Sequence, residues 1–348
     1  MPKDRLREAV ARGVTWFGRE QTQGGWWVDL SFLGQPSDEY VTAFVTANLA
    51  GLPGAEQFVS RARTALLDRL RMKLLMGTAA GWGWNLRMIP DADSTAWGLR
   101  AVGAPGLTDS DLTTPLDQGH LPDGEEAATT VIRQARGFLG KHLKESGVCT
   151  FMEESGVRAW AKLPSDMDCG GWFGPATCVT AAAAGPGGTL LPAAVPILLA
   201  AQEANGLWRS YWWPESAYST GLACLALNPQ LHQLPITAAA RWAVQRGQSD
   251  SAFATAWRLS AMTCALKADP DNEQWKRARD RMSEALFSGQ LADGSWPASA
   301  EIALPAPSNR RPDYSLPKVP GDSSWGVRSL DHGRTLTTAS VLAALARC

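Results

Sequence analysis

Charge is scarce in this sequence. Asp, Glu, Lys and Arg together make up 19% of 348 residues, and 33 basic against 34 acidic side chains leave a formal net charge of -1. With a pI near 6.4, the chain has no field that would gather nucleic acid, and nucleic-acid binding is excluded as an expectation. There are only four histidines, none at ligand spacing from a cysteine pair, so a zinc site is not expected even at Asp166-Met167-Asp168-Cys169. The six cysteines, Cys149, Cys169, Cys178, Cys224, Cys264 and Cys348, show no CxxC spacing. Three of them (Cys178, Cys224, Cys264) sit in apolar helical text, which predicts free thiols in a reducing, cytoplasmic setting. The charged, amphipathic start MPKDRLREAVARG does not have the pattern of a signal peptide. The one long uncharged run, Cys169 to Gln202, is cut by Pro186, Pro192 and Pro196 and by the Gly185–Gly188 cluster. It predicts two short buried helices rather than a membrane span, with a peripheral membrane contact as the alternative. Strand-like alternation is almost missing as well.

Tryptophan, by contrast, is abundant, with sixteen residues against four tyrosines and nine phenylalanines. Many of them follow glycine in a recurring unit: a Gly/Trp turn, a variable loop, then a helix of small residues. The unit runs Gly24–Trp27 then YVTAFVTANLAGL from Tyr40, Gly81–Trp84 then STAWGLRAVGA from Ser94, and Gly170–Trp172 then ATCVTAAAA from Ala176. It continues as Gly206–Trp208 then AYSTGLACLAL from Ala217, as SAFATAWRLSAMTCAL from Ser251 without its turn, and as Gly294–Trp296 then TLTTASVLAALA from Thr335. Between these helices lie more charged segments of helical period: Asp4–Gln21, Glu56–Met76, Glu125–Glu145, Leu191–Ala204, Ile236–Arg246 and Glu273–Ser288. Nearly chargeless helices suit an inner ring packed on all sides, and amphipathic ones an outer ring with one wet face. The expected fold is all-α, an (α/α)6 toroid of six helical hairpins forming a single domain over residues 1–348.

Long proline-bearing loops precede the inner helices at Val28–Asp38, Asn85–Pro90, Phe151–Asp168 and Pro297–Asp331. Loops of such length are usually functional, and the inner-helix N-termini add positive dipole ends there, so the working mouth is expected at that end. One of these loops leads into IPDADSTAW, Ile89 to Trp97. An Asp or Ser at a helix start is ordinarily a cap, but a cap explains only one of Asp91 and Asp93. Two carboxyls this close do not both ionise in an apolar site, so one keeps its proton. Such an acid can protonate a weak base such as an alkene or epoxide. The resulting cation survives against Trp, Tyr and Phe faces while water is kept out.

The sequence resembles the class II terpene cyclases, the squalene–hopene cyclase group. Their acid motif Asp-x-Asp-Asp-Thr-Ala is similar to Asp91-Ala92-Asp93-Ser94-Thr95-Ala96, with Ser94 replacing the family's Asp. The resemblance implies Asp93 as proton donor, with Asp91 and Ser94 positioning it. The family's Gln-x(2–5)-Gly-x-Trp repeats resemble Gln290–Trp296 and Gln202–Trp208, with Gln21 or Gln23, Gly24, Gly25 and Trp26 as a looser copy; Tyr211-Trp212-Trp213-Pro214 is also similar to family text. One barrel of this size looks like the single-domain cyclases that act on prenylated aromatics, that is meroterpenoid precursors, or on linear terpenoids. The metal signature Asp-Asp-x-x-Asp is absent from the sequence, and neither metal nor cofactor is expected.

Aromatics near the inner-helix starts are expected to face the substrate: Tyr40, Phe44, Trp97, Trp172, Phe173, Tyr218, Phe253 and Trp257, with Trp97 one turn below Asp93. Asp331 and Arg334, in Asp331-His332-Gly333-Arg334, are candidates for orienting Asp93 or gripping an anionic group on the substrate. The rim tryptophans Trp26, Trp208 and Trp296 are assigned to structure. A toroid also hosts other functions. A prenyltransferase-like chain fails for want of Asp-x-Cys, since Met167 stands two before Cys169. A glycoside hydrolase would need a second carboxyl from Glu215 or Asp331. A non-catalytic toroid binding a lipid or a partner protein would tolerate Asp93→Asn. The expected partner is an apolar prenylated small molecule.

Overall fold

The computed structural model describes residues 3–32, 34–77, 80–103, 125–247, 249, 251–314 and 326–348. Six inner helices form the ring: α2 (Glu39–Leu49), α4 (Ala92–Val102), α7 (Thr177–Ala184), α9 (Ala217–Ala226), α11 (Ala252–Ala268) and α13 (Thr335–Ala346). Each contacts the next, and α13 returns to α2, so the ring closes. Six outer helices, α1 (Lys3–Glu20), α3 (Glu56–Leu75), α5 (Glu125–Lys141), α8 (Ala194–Ala200), α10 (Gln233–Gln245) and α12 (Glu273–Ser288), complete the hairpins. The (α/α)6 reading therefore stands. The inner ring is buried all round, as its lack of charge requires: every residue of α11 from Phe253 to Ala265 and of α13 from Thr335 to Leu345 is inside.

Three copies of one hydrogen-bonded staple hold the ring. Gln21, Gln202 and Gln290 each donate Nε2 to the carbonyl of the glycine four residues on, and to a carbonyl of a neighbouring outer helix or its approach: Phe58, Pro235 and Ala9. The tryptophan two after each glycine donates its indole N–H to a carbonyl near the end of the preceding outer helix. Trp27 bonds Phe17 at 3.0 Å, Trp208 bonds Leu198 at 2.6 Å, and Trp296 bonds Leu286 at 2.6 Å. The first unit is thus a regular copy, Gln21-x3-Gly25-x-Trp27. This corrects the expectation for Trp26, which instead lies under the Arg69 guanidinium at 4.4 Å. The glycine is required at each staple. Gly25, Gly206 and Gly294 have φ of 84°, 93° and 97°, and an added Cβ would fall 2.3–2.8 Å from a neighbouring helix carbonyl.

Strand was barely expected, yet among the described residues three antiparallel hairpins stand in the loops: β1 (Asp29–Phe32) with β2 (Gln35–Ser37), β3 (Leu143–Lys144) with β4 (Gly147–Val148), and β5 (Glu301–Leu304) with β6 (Val327–Leu330). A further short helix, α6 (Glu154–Ala161), lies in the loop after Phe151. Segments of two to four residues are too short to show an alternation of period two. They matter because β1, β5 and α6 carry side chains over the mouth of the ring.

Candidate active site

The start of α4 is fixed from two directions. The Asp91 N–H donates to the Trp82 carbonyl at 3.0 Å, and the Ala92 N–H to the Thr150 carbonyl at 2.9 Å. Trp82 is itself tied to α3 through its indole N–H on the Leu66 carbonyl. The turn carrying Trp82 and Trp84 is held by buried Glu39, which accepts from the Gly83 N–H at 2.9 Å and pairs with Lys73 at 2.6 Å and Arg69 at 3.0 Å. A carboxylate buried this fully is tolerable because both oxygens are matched by cations or donors.

Asp91 caps α4. Its Oδ1 accepts from the Ser94 N–H at 2.8 Å, and its Oδ2 from the Ser94 hydroxyl at 2.7 Å. Asp93 sits inside the first turn, 5% exposed, and its Oδ1 is buried with no hydrogen-bond partner. The two acids therefore behave differently. Burial pushes the Asp91 carboxyl up to about 6, held back by the Ser94 hydrogen bonds and by the charge of Lys73. Burial, reinforced by the like charge of Asp91, lifts Asp93 well above the carboxylate range, opposed by Arg100. Asp93 is the proton-bearing member of the pair.

Asp91, Asp93 and Ser94 line a cavity of about 530 Å³, counted with its open mouth. Its wall is aromatic and aliphatic: Tyr40 from α2, Phe32 from β1, Trp84 and Met88, Phe151, Trp160 from α6, Trp212, and Ile302 to Leu304 from β5. Tyr40 stacks on Trp84 at 5.9 Å, and burial holds its hydroxyl well above the usual phenol range, so it stays neutral. Trp212 is aimed by its indole N–H on Thr150 Oγ1 at 2.6 Å, and β5 is pinned beside it by the Ala303 N–H on the Trp212 carbonyl.

The other expected binding residues lie elsewhere. Phe44, Trp97, Tyr218, Phe253 and Trp257 do not line the cavity; with Trp213 they pack the barrel behind it. Trp97 lies 4.5 Å from Phe44 and donates its indole N–H to the Tyr218 hydroxyl at 3.1 Å. Tyr218 stacks on Trp213 at 4.4 Å and meets Trp257 edge-on at 5.0 Å. Trp172 donates its indole N–H to the Pro305 carbonyl and so holds the end of β5, while Phe173 is a part-buried neighbour of Phe151 at 6.2 Å. Asp331 is a structural clamp. Its Oδ1 accepts from the Ser299 and Ala300 N–H groups and its Oδ2 from the Thr337 N–H, and burial raises it to about 7. Arg334 points to the rim, where it pairs with Asp293 at 2.9 Å and lies over Trp16.

Phe32, Trp84, Met88, Thr150, Phe151, Trp160, Trp212 and the β5 residues were missed as wall. The available signals were the long loops that carry most of them and the Tyr211–Pro214 text around Trp212. Spacing alone gives no rule for which loop residues turn inward.

No protein-family model matches the sequence, and no curated protein matches it. Among solved structures, the chain is similar to the type II terpene cyclase MstE from Scytonema, at 30% identity over 98% of both chains with a TM-score of 0.78. A substitution variant of that enzyme, in complex with its substrate geranylgeranyl dihydroxybenzoate, matches at 29% identity over 99% of this chain and 97% of that one, with a TM-score of 0.79. A protein from Actinoplanes matches at 29% identity over 98% and 99% of the two chains, with a TM-score of 0.79.

Proposed function

The chain belongs to the type II terpene cyclases, and from that premise we propose that Asp93 protonates the terminal alkene or epoxide of a linear prenyl chain held in the aromatic cavity. The observation that carries this reading is Asp93 itself: a carboxyl kept protonated by burial, its Oδ1 without a partner, in the wall of an apolar cavity.

For an alkene the step balances simply. The Asp93 O–H bond breaks, the alkene π pair takes the proton to form a C–H bond, and the more substituted carbon becomes cationic. The next alkene of the chain attacks that carbon and passes the charge on. Loss of a proton from the last cation ends the sequence, so product and substrate are isomers. With an epoxide, the proton goes to oxygen and the C–O bond opens. Tyr40, Trp84, Phe32, Phe151 and Trp212 offer π faces to the moving charge and exclude water. Asp91 and Ser94 position the acid: the twice-bonded Asp91 carboxylate holds the helix start and makes a second ionisation beside it unfavourable.

The substrate class follows the relative solved with geranylgeranyl dihydroxybenzoate. We read the substrate as a prenylated aromatic, its chain end at Asp93 and its ring toward Trp160 and Leu304. Such a substrate partitions into lipid. Met76, Leu86 and Met152 are exposed around a neighbouring groove that shares Met88 with the cavity wall, and this face suits a peripheral membrane contact. Among the described residues no helix is long and apolar enough to cross a membrane. A cytoplasmic setting accords with the six unpaired cysteines. Incubation with geranylgeranyl dihydroxybenzoate tests the reading: a cyclised isomer supports it, and unchanged substrate argues against it.

A further inference from the structure

Arg100, on inner helix α4, carries a charge that the chemistry above leaves unused. It lies in the last turn of α4, seven residues after Asp93 and three after Trp97, so the three share a helix face. Its guanidinium sits over the Trp97 ring at 4.1 Å, and its Nη1 is shut off from solvent with no hydrogen-bond partner. A part-buried cation whose inner nitrogen has no partner is costly to keep, and an enzyme that makes carbocations gains nothing from a second cation unless that charge has a task.

The surroundings of Asp93 indicate the task. The groups acting on it are Asp91 and Arg100 from its own helix, Tyr40 from α2, Cys178 from α7 and Tyr218 from α9. Burial holds Tyr40, Cys178 and Tyr218 neutral by raising each of them. Around Arg100 lie the same two tyrosines, Asp93, and Arg347 at the end of α13. Among the described residues, Arg100 is thus the cation set against Asp93, while Asp91 opposes it. Lys73, paired with Glu39, acts on Asp91.

We propose that Arg100 is a positioning residue that sets the acid strength of Asp93, serving as counter-charge to the carboxylate left when the proton has gone to the substrate. Without it, burial and Asp91 would hold the proton too tightly for a base as weak as an alkene. Trp97, on whose ring the guanidinium stacks, keeps it in place. The proposal rests on the cyclase reading for its catalytic meaning, but the electrostatic claim can be measured without turnover.

The experiment is carboxyl NMR of the isotope-labelled full chain, titrating Asp93 in the parent, Arg100→Gln and Arg100→Lys, with the pH profile of cyclisation alongside. Seven residues of helix set the two backbone positions about 10 Å apart, and a charge pair at that separation in an effective dielectric near 20 corresponds to about one pH unit. Asp93 in Arg100→Gln should therefore titrate about one unit higher, and Arg100→Lys should stay near the parent. Activity needs protonated Asp93, so the high-pH limb should move up with it, while the plateau rate falls about threefold to tenfold as the acid weakens. Arg100→Met, which keeps the packing on Trp97, serves if Arg100→Gln does not fold. An unmoved Asp93 titration in the neutral variant, or a lysine variant shifted as far as the glutamine one, overturns the proposal. A shifted titration with no turnover on any prenyl substrate leaves Arg100 standing and counts against the cyclase reading instead.

Discussion

Ser94 donates to Asp91 twice, N–H to Oδ1 at 2.8 Å and hydroxyl to Oδ2 at 2.7 Å, so both oxygens of Asp91 are engaged while Asp93 Oδ1 has no partner. The serine that stands where the family motif has an acid therefore serves the first Asp and leaves the second, in the cavity wall, without a partner at Oδ1. Removing the hydroxyl in Ser94→Ala should loosen Asp91 and lower kcat about tenfold, the worth of one charge-assisted hydrogen bond. KM should hardly change, and Ser94→Thr should restore most of the rate. Steady-state kinetics on the three proteins checks this.

Asp93 is held at a cost to stability. Its folded pKa lies above its unfolded value, so the folded chain binds the proton more tightly. That contribution is fully present below about pH 4 and is lost as the pH climbs through the folded pKa. Asp93→Asn breaks no hydrogen bond at Oδ1 and removes the penalty. Its Tm should match the parent at about pH 4 and exceed it at about pH 8, by about 2 °C or more, while cyclisation is abolished. A variant less stable than the parent at the higher pH would contradict the assignment of Asp93 as a desolvated acid.

The staples should separate stability from chemistry. Gln290→Ala leaves the Ala9 and Gly294 carbonyls without the amide, which should cost about 2 kcal/mol with kcat unchanged. Gly294→Ala places a Cβ 2.5 Å from the Arg12 carbonyl at a φ of 97°, and should cost about 3 kcal/mol or more. Denaturant titration gives both values.

Trp212 and Phe253 test which aromatics meet the substrate. Trp212 lines the cavity and Phe253 does not. Trp212→Ala should alter the rate and the product mixture. Phe253→Ala should chiefly destabilise, by about 3–5 kcal/mol. Product analysis beside thermal melts distinguishes them; a changed product mixture from Phe253→Ala at unchanged stability would contradict the packing described.

The ring was legible in the sequence because its logic is periodic. Nearly chargeless helices beginning at Tyr40, Ser94, Ala176, Ala217, Ser251 and Thr335 could only be packed on all sides, and each appears within three residues of its expected start. The carboxyl pair was legible as a motif because a helix start is local, and Asp91 and Asp93 both line the cavity. The cavity wall was not. Residues such as Phe32, Phe151, Trp160 and Ile302 come from hairpins and a short helix whose inward side is set by tertiary pairing, not by spacing. Asp331 and Arg334 stood out because a buried acid and an arginine in a tight turn signal hydrogen bonding without saying to what; here they bond to Ser299, Ala300 and Thr337, and to Asp293.

The most direct test is overnight incubation of the purified protein with geranylgeranyl dihydroxybenzoate in the presence of EDTA, with Asp93→Asn run in parallel. The account predicts a cyclised product of unchanged mass from the parent and none from the variant. Product that needs added metal, or that survives Asp93→Asn, would contradict acid initiation by Asp93.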